Sequence, residues 1–132
     1  MNKFFATVMA GLASATTELY QESFDSMVFA PQEKGWFVKF YAPWCPHCQA
    51  LAPVWDQFSD EHPEVNVGAV DCTDNSSKYL CVDYMISGYP TLLYFPPVAD
   101  DARKKYYEYK KNRAIDGFAD FVTNYDQMWL KQ

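Results

Sequence analysis

Two cysteines separated by two residues, Cys45 and Cys48, lie between a β-rich apolar run and a helical pattern. The run Trp36–Tyr41, bounded by a glycine and a proline, predicts a buried strand. Apolar residues recur at helical spacing over residues 46–60, which predicts a helix. A Cys-x-x-Cys pair at a strand-to-helix junction is typical of a dithiol redox centre, so the chain must fold to form that junction.

The junction gives the first cysteine a special chemistry. The first turn of a helix has unpaired backbone N–H groups and a partial positive charge, so a thiolate at Cys45 is stabilised and its pKa should fall. Pro46 suits the first helical position, where a missing N–H costs nothing. His47, when protonated, would favour the thiolate further. Cys48 lies one turn on and can attack a mixed disulfide formed at Cys45.

A zinc site is the main alternative for a Cys-x-x-Cys pair. Zinc sites usually add a second, closely spaced Cys or His pair, whereas Cys72 and Cys81 are nine residues apart and His62 is isolated. The redox interpretation is therefore favoured, and we expect neither a metal nor an organic cofactor.

The remaining pattern predicts the α/β class. Helices and strands alternate in the order α-β-α-β-α-β-β-α, with close spacing of the last two strands. Strand–helix–strand connections imply parallel pairing and the final pair an antiparallel hairpin. We expect a central mixed β-sheet flanked by helices on both faces, with these elements: helices 19–29, 46–60, 75–84 and from 115, and strands 36–41, 65–70, 91–95 and 105–109.

Charge restricts the class of partner. The formal net charge is −6, which argues against a nucleic-acid surface. One cationic run, between residues 103 and 113, is interleaved with tyrosines and acidic residues. The solvated edge of a strand is favoured for this run over a polyanion site.

The N-terminal residues predict a targeting signal. Residues 1–15 combine one lysine, an apolar stretch and a small-x-small ending, as in a signal peptide, leaving residues 16–132 as one domain. No apolar run is long enough to predict an integral membrane segment. The last residues carry no Lys-Asp-Glu-Leu-type retention signal, so we expect the endoplasmic reticulum lumen or secretion.

Three motifs carry a family resemblance. FYAPWCPHCQALAP (40–53) closely resembles the active-site segment of protein disulfide isomerase thioredoxin domains, and VDCT (70–73) and SGYPTL (87–92) match two further signatures. The resemblance runs from about residue 19 to residue 125. It implies a thioredoxin fold and a thiol–disulfide oxidoreductase that forms, reduces or exchanges disulfides in cysteine-containing client proteins.

The resemblance also implies roles for residues outside the dithiol. It implies a cis peptide between Tyr89 and Pro90, whose backbone pairs with a client strand; an ordinary turn proline is the alternative. Trp44 and Tyr89 would offer apolar contact to clients. Arg113 would promote ionisation of Cys48, unless it is simply a solvated arginine at a helix start.

Two departures from the family pattern concern the redox centre. Pro46 replaces the usual glycine, which predicts a more oxidising couple. Lys39 replaces a buried glutamate used for proton transfer. A lysine in a core strand would have a lowered pKa and could accept a proton, or its side chain could reach the surface instead.

The second cysteine pair has two readings. In related domains a pair spaced like Cys72 and Cys81 forms a structural disulfide, and the alternative is a second redox pair. Asn75 begins a glycosylation sequon in the same loop.

Two rivals to the enzyme remain open. One is a module that binds unfolded chains through its aromatic patch, and the other a secreted domain in which Cys45–Cys48 is a permanent bridge. The enzyme would require an unidentified partner that regenerates its redox state, and we expect a monomer.

Overall fold

The computed structural model describes residues 16–97 and 105–130, with side chains described as far as residue 125. Five strands and four helices occur within these ranges. The strands are β1 (Thr17–Glu18), β2 (Trp36–Tyr41), β3 (Asn66–Asp71), β4 (Thr91–Phe95) and β5 (Tyr107–Tyr109). The helices are α1 (Phe24–Val28), α2 (Pro46–Glu61), α3 (Lys78–Asp83) and α4 (Ile115–Leu130).

The strands form one mixed sheet in the order β1-β3-β2-β4-β5. β3 pairs in parallel with β1 and β2, while β4 pairs antiparallel with β2 and β5. Val38 of the central strand lies between Gly68 and Leu93. The predicted α/β class and the final antiparallel hairpin are thus confirmed. The parallel direction expected for the strands joined by α3 is wrong, because β4 pairs with β2 rather than with β3 and runs antiparallel to it.

Alternate residues of β2 pack in two separate hydrophobic cores, because successive side chains in a strand point to opposite faces. One core contains Val38 and Phe40 with α1 and α3; the other contains Phe37 with α2 and α4. Trp55 of α2 donates its indole N–H to the Gly68 carbonyl over 3.1 Å, which ties α2 to the sheet. The expected helical layers on both faces are therefore present.

The N-terminal prediction was wrong in part. The apolar spacing over residues 19–29 predicted one helix, but β1 comes first and α1 begins only at Phe24. The Leu19 N–H donates to the Ala69 carbonyl over 2.8 Å, so the chain is still paired with β3 at that point. Neighbouring backbone, rather than local periodicity, decides the conformation here.

Other differences are confined to element ends. β3 is shifted by one residue, α3 and β5 are shorter than predicted, and α2 extends to Glu61. The predicted signal segment 1–15 lies outside the described residues, as does most of the turn before β5. Among the described helices, none is both long enough and apolar enough to cross a bilayer.

The strand register brings three segments to one edge of the sheet. Phe40 near the end of β2 pairs with Thr91 at the start of β4, and Leu92 pairs with Tyr109 at the end of β5. The chain leaving β2, the chain entering β4 and the chain leaving β5 therefore meet. This edge carries Cys45.

Candidate active site

Cys45 lies at the N-terminus of α2. Its backbone is extended, with φ −78° and ψ 125°, and Pro46 occupies the first helical turn as predicted. The Cys45 N–H donates to the Ala42 carbonyl over 3.1 Å. The Gln49 side-chain amide donates to the Pro43 carbonyl over 3.0 Å. These two bonds fix the path from β2 into the helix.

The surroundings of Cys45 favour its thiolate. The backbone N–H of Cys48 is the main cause that lowers its pKa, and the Cys48 thiol and the His47 N–H act in the same direction. Burial of Cys45, which is 8% exposed, opposes them. This is the electrostatics of a helix N-terminus, and it makes Cys45 the more nucleophilic sulfur.

Cys48 has the opposite environment. Burial raises its pKa, and a hydrogen bond with Cys45 together with the Cys45 charge raises it further. The Ala42 backbone and the charge of Lys39 act against that rise. Both thiols are free and buried, and the directions of the two pKa shifts favour the thiolate at Cys45 and the protonated thiol at Cys48.

The Tyr89–Pro90 peptide bond faces this pair and is cis. The Cys45 thiol donates to the Tyr89 carbonyl over 3.6 Å. The Trp44 ring meets the Tyr89 ring edge-to-face, with centroids 6.0 Å apart, while 66% of Trp44 remains exposed. Trp44, Cys45, Tyr89 and Pro90 therefore come together in the arrangement that the family resemblance implied.

Lys39 lies close enough to Cys48 to affect its pKa, on the face of β2 that also carries Phe37. It is 7% exposed, so the greater part of its side chain is buried. Burial lowers the pKa of Lys39. Its ammonium lies 4.9 Å from the centroid of the Tyr41 ring, which provides a cation–π contact.

Two carboxylates around Lys39 were missed from the sequence. The charges of Asp56 and Glu18 raise the pKa of Lys39 against the effect of burial. Thr16 donates to Asp56 over 2.9 Å, and the Tyr41 hydroxyl donates to Glu18 over 3.1 Å. Asp56 could have been identified from the sequence, because it follows Cys48 by two steps of four residues and therefore lies on the same face of α2. Glu18 could not, since its strand was not predicted.

Arg113 differs from the implied role. Its positive charge lowers the pKa of Cys45, whereas the resemblance implied an action on Cys48. Arg113 follows β5 at the edge of the sheet that carries Cys45. His47 is exposed, and its contribution to Cys45 in the structure comes from its backbone N–H.

The second cysteine pair packs in a different hydrophobic cluster from the first. Cys72 and Cys81 form a disulfide with Cα atoms 5.7 Å apart, joining the end of β3 to α3. Asn75 is exposed in the loop between them. Ser77, the third residue of the sequon, is buried and donates its hydroxyl to the Asp71 carbonyl over 2.7 Å. Over residues 16–97 and 105–130, no three His, Cys, Asp or Glu side chains gather as metal ligands would.

Comparison with known proteins agrees with this geometry. The Thioredoxin family model matches residues 15–123. The protein disulfide-isomerase-like protein EhSep2 of Emiliania huxleyi is 35% identical over 118 residues, which are 87% of this chain and 50% of that protein. Protein disulfide-isomerase A2 of Homo sapiens is 34% identical over 109 residues, 80% of this chain and 19% of that protein.

Solved structures give the same relation. The J-Trx1 fragment of ERdj5 superposes with a TM-score of 0.73 at 29% identity, covering 86% of this chain and 52% of the fragment. The chain spans half or less of the length of the two curated relatives it matches. With the family model matched over most of its length, the chain belongs to the thioredoxin family.

Proposed function

We propose that this domain is a thiol–disulfide oxidoreductase, similar to the protein disulfide isomerases, acting on cysteine-containing client proteins. The observation that carries the proposal is the placement of two free thiols, with Cys45 at the N-terminus of α2 and Cys48 one turn further into the helix. The two thiol pKa values are displaced in the directions that this placement predicts, lowered at Cys45 and raised at Cys48. A permanent bridge needs no such difference, whereas an exchange enzyme needs one nucleophile and one protected second thiol.

The reaction follows from the different roles of the two thiols. When the domain reduces a client disulfide, the Cys45 thiolate attacks one client sulfur and the other leaves as a thiolate. Cys48 then loses its proton and attacks the Cys45 sulfur, which releases the first client sulfur and closes the Cys45–Cys48 disulfide. Oxidation of a client dithiol is the same sequence in reverse. No metal or organic cofactor takes part.

We propose that Tyr89 and Pro90 align the client backbone. The Tyr89 carbonyl lies 3.6 Å from the Cys45 sulfur, so a strand paired with this segment would present its cysteine to Cys45. Exposed Trp44 would add apolar contact beside it.

Lys39 is proposed as the proton acceptor for Cys48. Burial lowers the pKa of Lys39, which shifts its equilibrium toward the neutral amine, and the charge of the protonated form lowers the pKa of Cys48. Transfer of the Cys48 proton to Lys39 would produce the thiolate that resolves the mixed disulfide. Asp56 and Glu18 would stabilise the resulting ammonium.

We propose that Pro46 and His47 make the couple oxidising, as a stabilised reduced thiolate does. The Arg113 charge supports the same direction, since it lowers the pKa of Cys45.

Its site of action is proposed to be the secretory pathway, in the endoplasmic reticulum lumen or outside the cell. The Cys72–Cys81 disulfide supports this, because such bonds persist in oxidising compartments. Exposed Asn75 would then be available for glycosylation. We further propose that the domain acts as a monomer and is regenerated by a separate redox partner.

The test compares Cys45→Ser with Cys48→Ser on a peptide that contains one disulfide. Cys45→Ser should abolish exchange, and Cys48→Ser should accumulate a mixed disulfide visible by mass spectrometry. A Cys45→Ser variant that keeps full activity would instead favour the binding module.

A further inference from the structure

A groove of about 560 Å³ opens beside Pro90, between the start of β4 and the loop that follows β5. Buried Leu92 and Tyr109 form part of its lining. The Tyr109 hydroxyl donates a hydrogen bond to the Asn112 carbonyl, which holds the loop over residues 110–113 in place. The groove therefore lies next to the redox centre, with its loop side tied to β5.

The loop side of the groove is cationic. Lys110, Lys111 and Arg113 line it and are exposed, while Glu108 is the acidic residue among the lining. The positive charge of Arg113 already reaches the Cys45 sulfur. The sequence favoured a solvated strand edge for this run. Its last three cations are exposed after the edge strand β5, and they also line the groove that contains Pro90.

No acidic side chain offsets these cations in the other two segments near Cys45. Residues 43–48 and 87–91 contain no Asp, Glu, Lys or Arg. The formal net charge of the whole chain is −6, so this cationic rim contrasts with the rest of the surface. A local field of one sign at the mouth of a site attracts ligands of the opposite sign.

We propose that this groove selects client segments that carry acidic side chains close to the reacting cysteine. The inference rests on the proposed function, because it names the substrate class of the same redox site. A client strand aligned along Tyr89 and Pro90 would extend one end past the loop. Lys110 and Lys111 would meet its side chains two or three positions from the cysteine.

The test uses three reduced peptides that each contain two cysteines able to form an intramolecular disulfide and differ only near the reacting cysteine, where they carry Asp, Asn or Lys. The domain with its Cys45–Cys48 disulfide formed is mixed with each peptide, and acid-quenched samples are read by mass spectrometry. We expect the Asp peptide to react about five- to tenfold faster than the Lys peptide at about 0.01 M salt. At about 1 M salt, where the Debye length is about 3 Å, the ratio should approach one.

The matched variants are Lys110→Gln/Lys111→Gln and Lys34→Gln/Lys105→Gln. Lys34 and Lys105 precede β2 and β5, at the opposite end of the sheet from Cys45, so the control removes equal charge far from the groove. The groove variant should reduce the Asp-to-Lys ratio below about twofold, and the control should keep it.

Three results would overturn the proposal. The wild-type domain could show no preference, the groove variant could keep the preference, or the control could lose it equally. If none of the peptides reacts, the proposed function itself fails and this inference fails with it, which is distinguishable from reaction without selectivity.

Discussion

Removing the Cys72–Cys81 disulfide tests whether this bond stabilises the fold without taking part in disulfide exchange. The bond closes a loop with a sequence separation of 9 between the end of β3 and α3. Chain-entropy arguments for such a loop give about 2.6 kcal/mol of stabilisation. Cys81 is 7% exposed, so replacement by alanine removes a packed sulfur as well, at a cost of about 1 kcal/mol. We therefore expect Cys72→Ala/Cys81→Ala to lower the free energy of unfolding by about 3–4 kcal/mol.

Urea unfolding followed by tryptophan fluorescence measures this loss. With a urea slope of about 1.5 kcal/mol/M, the midpoint should fall by about 2 M. The control is Cys45→Ala/Cys48→Ala, which keeps the disulfide. Under conditions where the Cys72→Ala/Cys81→Ala variant stays folded, its rate of disulfide exchange should remain within about twofold of wild type. An unchanged midpoint would refute the structural role, and a folded variant without exchange would make this pair redox-active.

Three further predictions concern the core and the two thiols. Phe37→Ala should cost about 3–5 kcal/mol in urea unfolding, because its ring packs against Trp55 at a centroid distance of 4.8 Å; Phe37→Leu should cost less than half as much, and equal losses would contradict the packing argument. Cys45 should be alkylated with a pH midpoint below the ordinary thiol value of about 8.5, because its pKa is lowered, and Cys48 with a midpoint above it; identical midpoints would contradict the assigned roles. Lys39→Met should slow resolution of the mixed disulfide about tenfold or more, read by quenched-flow mass spectrometry, and shift the rate's pH profile upward; an unchanged profile would remove Lys39 from the proton path.

The sequence correctly predicted the strands whose burial is evident from a local run of apolar residues. Trp36–Tyr41 and Thr91–Phe95 were predicted with the observed bounds because both are apolar, β-rich and limited by Gly or Pro. Thr17–Glu18 could not be predicted, because two residues carry no pattern and their strand exists only through pairing with β3. The N-terminal start of α1 was misplaced for the same reason.

At the site, too, local pattern predicts some features, whereas others depend on tertiary contacts. Cys45 at the helix N-terminus follows from local pattern, because the junction itself creates the electrostatics. The environment of Lys39 does not, since Glu18 comes from the unpredicted strand and Asp56 from a different element. The action of Arg113 on Cys45 also depends on where the fold places the loop after β5 relative to Cys45. These contacts are tertiary, and no local spacing reports them.

The reduction potential of Cys45–Cys48 tests the central claim most directly. The domain is equilibrated with glutathione buffers, and the alkylated thiols are counted by mass spectrometry. A lowered pKa at Cys45, with Pro46 and His47 between the cysteines, predicts a potential of about −180 to −120 mV. A value near about −270 mV would indicate a reductase and contradict the oxidising assignment. A value below about −300 mV would make the pair a structural bridge and contradict the redox function altogether.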